Sequence, residues 1–158
     1  MPNVPDNRAT AYFETHVLPS VEFWSENPLN LNLAMNAATC LNQMADYYFH
    51  QYGASEPDRV FGTNSVRQFR TELARRQPNV GLVRDVADAH KHVVISRTDR
   101  VLTSAAQFDI GSLGFGEAEF GVGAYGGVSE AVVELDSGER RHFSALVEDV
   151  TDMWLDLL

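Results

Sequence analysis

The residues best equipped for chemistry lie together between Arg84 and Arg97, where RDVADAHKH at the start holds an Arg, two Asp, a Lys and two His within nine residues. Histidine exchanges a proton near neutral pH, and a guanidinium stabilises charge developing on a phosphoryl group. Arg84 and His90 therefore pair a charge stabiliser with a proton carrier and are the candidate catalytic residues. Lys91 and His92 are candidates for contact with a phosphate or other anion. The plainer alternative has Lys91 solvated and His92 bonded to Asp88 or a backbone carbonyl.

Asp46 with His50, and Asp88 with His92, stand four apart, so each pair shares one face of a helix. Helical bundles build metal sites from carboxylate and His pairs on facing helices. Those sites normally use Glu-x-x-His pairs with additional Glu, a pattern this sequence lacks, so locally hydrogen-bonded pairs are the simpler reading. His90 and His92 are two apart and point to nearly opposite sides of a helix. Gly121, Gly123 and Gly126 spell G-x-G-x-x-G, a pattern that holds a dinucleotide only between a strand and a following helix. Here GVSEAVVELDSG follows, which reads as strand and turn, so the glycines serve backbone packing and no cofactor is implied.

The elements that must position these residues follow from periodicity. Apolar residues recur at helical spacing from about Asn7 to Glu26 (Tyr12, Phe13, His16, Val17, Val21, Trp24), with Pro19 predicted to kink or split the helix. Asn27 and Pro28 read as the N-cap and first position of a longer helix that stops at Gly53. Asn64 or Ser65 caps a short helix, Val66 to Arg76, with Val66, Phe69 and Leu73 on its narrow apolar face. After Pro78, the residues Val80, Val83, Val86, Ala87, His90, Val93 and Val94 mark a central helix ending near Ser96.

From Thr103 the pattern turns to β. AAQFDIG alternates weakly, and EAVVELD and ERRHFSA flank a tight turn at DSGE. Between them, seven glycines fall within the seventeen residues from Gly111 to Gly127, interleaved with Phe115, Phe120 and Tyr125. Ser144 is predicted to cap a terminal helix with Leu146, Val147, Val150, Met153, Trp154 and Leu157 inward and Glu148, Asp149, Asp152 and Asp156 facing water. The expected fold is a single mainly helical α+β domain over 1–158. It comprises an N-terminal helical bundle (about 7–98), an antiparallel β-region (about 103–143) and a closing C-terminal helix (about 144–158).

Composition narrows the function classes. The chain has 158 residues, 44% of them hydrophobic and 22% charged, which is ordinary globular composition for one domain. Its formal net charge of −10 argues against sequence-independent binding to nucleic acid. Nine of the twelve basic residues nevertheless fall within 59–100, against four acids. Such a block either forms an anion-binding face or neutralises acidic neighbours within the fold or across a dimer; charge pairing is the commoner use. Cys40, the single cysteine, lies in an apolar helical pattern, where a buried inert thiol in a reducing compartment is expected. The N-terminus has neither the basic start nor the apolar run of a signal peptide, and no stretch is apolar enough to cross a membrane, which reads as cytoplasmic.

Two resemblances attach to these residues. Arg84 and His90, with the polar Asp85 directly after the Arg, resemble the R-x(4 to 6)-H motif of HEPN-type ribonucleases, helical dimers whose Arg and His meet at a composite RNA-cleaving site. That resemblance implies metal-independent RNA cleavage by Arg84 and His90. The second covers most of 30–158: the helix LAMNAATCLNQMADYYF, then Asp85, Ala89, Lys91 and His92, the tract FGEAEFGVGAYGG, a hairpin and a last helix with Trp154. This looks like a group of small uncharacterised bacterial proteins with a D-x-x-N-x-x-K-H-type helix, where Asp88 replaces the usual Asn. It implies a fold and no activity. The leading expectation is a non-enzymatic structural or interaction protein, with the HEPN-like ribonuclease second and a bundle metal site third. A homodimer is expected, because the helical hairpin and the Trp154 helix offer apolar surface beyond the needs of one core.

Overall fold

The computed structural model describes residues 7–92, 100–102, 104–111 and 129–158. It is a mainly helical α+β fold with a three-stranded antiparallel sheet and a closing helix. The expected end of the central helix near Ser96 and nearly all of the glycine tract lie outside the described residues.

The first helical stretch is split as Pro19 requires. α1 (Arg8–Tyr12) passes into a π-helical turn (Phe13–Val17) and then α2 (Leu18–Glu26), with Pro19 in the first turn of α2. Proline has no N–H to donate and its ring crowds the carbonyl four residues back, so the wider turn just before it absorbs the mismatch. His16, expected on the apolar face, is exposed and stacks on Tyr12 at a centroid distance of 4.8 Å.

α3 (Leu31–Tyr52) starts later than Asn27 and Pro28 suggest. Its cap is Asn30, whose Oδ1 accepts from the amides of Asn32 and Leu33 at 3.0 and 3.2 Å. Asn27 instead donates from Nδ2 to the Phe23 carbonyl at 3.1 Å and so closes α2. The buried face of α3 begins with the small residues Ala34, Ala37 and Ala38 and ends with Tyr48 and Tyr52. Small side chains let neighbouring backbones approach, and α1, α2 and the three later helices, 66–76, 78–92 and 143–157, all pack against this helix. Cys40 is half-buried rather than fully enclosed, its Sγ 3.3 Å from the Ser20 hydroxyl.

A 3₁₀ turn (Pro57–Val60) leads to Phe61 and Gly62, both with positive φ, at +58° and +68°. α4 (Val66–Arg76) is capped by Ser65, whose Oγ accepts from the Gln68 amide at 3.2 Å while Gln68 Oε1 accepts from the Asn64 amide. α5 (Pro78–His92) follows after Gln77 and buries Leu82, Val83, Val86, Ala87 and Ala89. It also buries Asp85, which the apolar period does not include; His90, which that period does include, is exposed.

The sheet has the order β1 (Phe108–Gly111), β2 (Glu130–Glu134), β3 (Arg140–His142), with Phe108 opposite Val133 and Val133 opposite Arg141. The hairpin turn falls where DSGE places it. Leu135 N–H bonds the Glu139 carbonyl at 2.7 Å, and Gly138 takes the left-handed φ of +85° that such a turn needs. α6 (Phe143–Leu157) begins one residue before the expected Ser144 cap. Its N-cap is His142, without a side-chain bond, and the Ser144 hydroxyl donates to Glu130 Oε2 instead. The core joins Tyr48, Phe69 and Trp154, with centroids 5.6 to 6.5 Å apart. No helix among the described residues is long and apolar enough to cross a membrane.

The cap position is testable. Asn30→Ala should lower stability by about 0.5–2 kcal/mol in urea denaturation, whereas Asn30→Gly should cost only a few tenths. Equal stability of wild type and Asn30→Ala would return the cap to Asn27.

Candidate functional site

Arg84 is committed to its neighbour. Its Nε and Nη2 donate to Asp85 Oδ1 at 3.1 and 3.0 Å, and its side chain is only 18% exposed. Asp85 is buried and also accepts from Arg100 Nη1 at 2.6 Å and from the Val101 amide at 3.1 Å. Arg100, buried as well, reaches on to Asp88 Oδ2 at 2.6 Å. The polar residue that follows the Arg in the R-x5-H segment thus binds that same Arg. His90, Lys91 and His92 lie exposed on the last turn of α5. Arg84 and His90 are about 9 Å apart along the axis and roughly 120° apart around it, as six residues of α-helix demand.

The four candidate metal residues have other partners or face solvent. Arg70 on α4 binds Asp46 and also donates to the Asn42 carbonyl, Arg100 holds Asp88, and His50 and His92 are exposed. Among the described residues, no three His, Cys, Asp or Glu side chains are grouped to hold a metal ion. The basic block is thereby largely absorbed inside the fold. Arg59 joins it differently: Nε donates to the Tyr48 hydroxyl at 3.2 Å, Nη2 donates to the Leu157 carbonyl at 2.7 Å, and the guanidinium lies over Tyr52. A cation at that carbonyl complements the C-terminal end of α6.

A different feature has the form of a binding site. Between the end of α4 and the last two turns of α6 runs an open groove of about 460 Å³. Phe61, Leu73, Met153 and Leu157 give it apolar surface, and Arg76, Gln77, Asp149, Asp152 and Asp156 complete its lining. Volumes of about 300–1,000 Å³ are typical of ligand clefts. Asp149, Asp152 and Asp156 recur at i, i+3 and i+7, which sets them along one stripe of α6. The sequence pattern identified them as water-facing, which they are, but 61–77 and 149–157 meet only through packing. The one local signal was their alignment beside Met153 and Leu157.

The other wall is fixed by Glu72 and Phe61. Glu72 Oε1 accepts from Arg75 Nη2 at 2.7 Å and from Arg76 Nε at 2.8 Å, and the Arg76 guanidinium carbon lies 3.8 Å from the centre of the Phe61 ring. Bonds from Arg75 and then Arg76 hold the Glu72 carboxyl down from 4.5 to about 2. Phe61 presents its ring from a left-handed backbone conformation, a strained choice for a bulky residue.

Comparison of the chain with protein-family models, with curated proteins and with solved structures finds no match.

Two outcomes follow. Asp85→Asn should destabilise the fold by about 3 kcal/mol, because it removes the buried carboxylate that Arg84 and the buried Arg100 share and leaves Arg100 with Asp88 as its ion-pair partner; Asp85→Asn combined with Arg100→Met should recover part of that loss. Equilibrium unfolding measures both, and a loss below about 1 kcal/mol would mean the network is dispensable. Because the Glu72 pKa is depressed in the folded state, its contribution is present above the unfolded value of 4.5 and lost as pH falls through about 2. Carboxyl resonances followed by NMR should show Glu72 titrating near that lower value, and returning to the ordinary range in Arg75→Ala with Arg76→Ala.

Proposed function

We propose that the protein is a non-catalytic interaction module whose partner docks in the groove between α4 and α6. The observation that carries this is the open groove itself, with apolar side chains at its base and charged ones at its rim, the usual anatomy of a recognition surface. The engagement of Arg84 by Asp85 supports a structural role for that arginine. A homodimer belongs to the same proposal on altered grounds. Trp154 is buried in the monomer's own core, so self-association would rest on the exposed Phe23, Leu29 and Leu155. A reducing, cytoplasmic setting fits the single thiol of Cys40.

The ribonuclease reading is the competing one, and RNA decides against or for it directly. The purified protein should leave single-stranded and structured RNA intact; cleavage that disappears in both Arg84→Ala and His90→Ala, with folding retained, would overturn the non-catalytic assignment. For the groove, a panel of helical amphipathic peptides of varied charge should shift the NMR signals of Phe61, Leu73, Met153 and Leu157 when at least one of them binds. A panel in which none perturbs those residues, or in which Met153→Arg leaves binding unchanged, would remove the groove as the site.

A further inference from the structure

We infer that the occupant of the α4–α6 groove is a basic amphipathic helix of a partner protein, an inference that rests on the groove being the docking site. Charge is the first reason. Asp149, Asp152 and Asp156 are all exposed along one wall; Asp149 Oδ2 accepts from Asn79 Nδ2 at 2.6 Å, and among the described residues no cation lies within ion-pair distance of any of the three. Arg76, among the described residues the only cation lining the groove, already has its counter-charge in Glu72 and lies over the Phe61 ring. The groove therefore presents a row of uncompensated carboxylates opposite a neutralised wall. The chain's net charge of −10 adds a long-range field that draws cations toward it.

Shape is the second reason. The carboxylate row covers two helical turns, about 10 Å along α6. A helix laid alongside brings Lys or Arg into register with such a row at i, i+3 or i+4, and i+7, as flanking charges do in paired helices. Its apolar stripe then meets Phe61, Leu73, Met153 and Leu157, among which Met153 adapts to varied side chains. A polyamine would satisfy the carboxylates and leave the apolar base uncovered. A purely apolar helix would cover the base and leave the carboxylates unmatched.

The probe is a fluorescein-labelled helical peptide of Leu and Lys, about four turns long, with its Lys on one stripe and its Leu on the other. Binding should be saturable by fluorescence anisotropy and should weaken steeply as salt rises from about 0.05 to 0.5 M. Asp149→Asn, Asp152→Asn and Asp156→Asn together should weaken it about tenfold, the product of three rim pairs each worth roughly a factor of two. The same peptide with Glu for Lys should bind no better to wild type than the Lys peptide binds to the triple variant. Asp152→Asn alone, with circular dichroism unchanged, should show part of the loss and guards against misfolding of the triple variant.

Equal binding of Lys and Glu peptides, both blocked by Met153→Arg, would overturn the basic partner and leave the groove as the docking site. Failure of every peptide would remove both. Displacement of the labelled peptide by spermidine at comparable concentration would assign the row to a polyamine. A dimer in sedimentation that dissociates in the triple Asn variant would make a second copy the occupant. Each of these two last results would overturn the proposal.

Discussion

A carboxylate with a side chain only 1% exposed, Asp85, sets the relation between the helical bundle and the sheet. Its two oxygens accept from Arg84, Arg100 and the Val101 amide, so residues 100 and 101 are held against α5. Val101 then passes the constraint on: its carbonyl accepts from the Asp136 amide at 2.7 Å, in the hairpin turn between β2 and β3. Leu102, next in the chain, is fully buried. Removing ions from water is costly, and a buried pair is a weak source of net stability. What it supplies is direction, since the carboxylate accepts from two guanidinium groups and one amide at once, bonds that an apolar residue at 85 could not make.

Residues with local causes were legible in the sequence. Pro19 split its helix, Ser65 capped α4, Gly53 ended α3, the DSGE turn formed, and the inward stripe of α6 was read correctly down to Trp154. The misplaced caps share one cause, which is a polar residue choosing between two nearby partners. Asn27 and Asn30 both have capping chemistry; Asn27 went to the carbonyl behind it and left Asn30 to start α3. Ser144 stood beside a carboxylate across the sheet and bonded it rather than its own helix. Asp85 interrupts an apolar period, and periodicity counts a carboxylate as outward because its arginine partners are invisible to a local window.

The same limit explains the site. Arg84, His90, Lys91 and His92 drew attention because chemistry-bearing types were dense in one segment, yet density along a chain is not convergence in space. In the fold, Arg70, Arg75, Arg76, Arg84 and Arg100 each meet a carboxylate, so five of the nine basic residues of the block are used in charge pairing, Arg75 and Arg76 at the surface. The aspartates lining the groove, Asp149, Asp152 and Asp156, come instead from a part of the chain whose pattern was unremarkable, and among the described residues none of them has an ion pair. What sets them apart from the other exposed carboxylates is their place in one row beside an apolar surface.

Phe61 carries a consequence for how this protein would respond to selection. A bulky residue in the left-handed region costs on the order of 1–3 kcal/mol, which glycine, and largely asparagine, would recover. Its ring is also the platform on which Arg76 lies at the groove wall. Glycine at 61 would relieve the backbone but remove a part-buried ring that packs on the core beside Phe69, 5.8 Å between centroids, a loss of the same order as the strain. Selection for heat resistance therefore gains little by exchanging Phe61, and a mutational path toward a relaxed backbone there runs through the loss of the ring under Arg76.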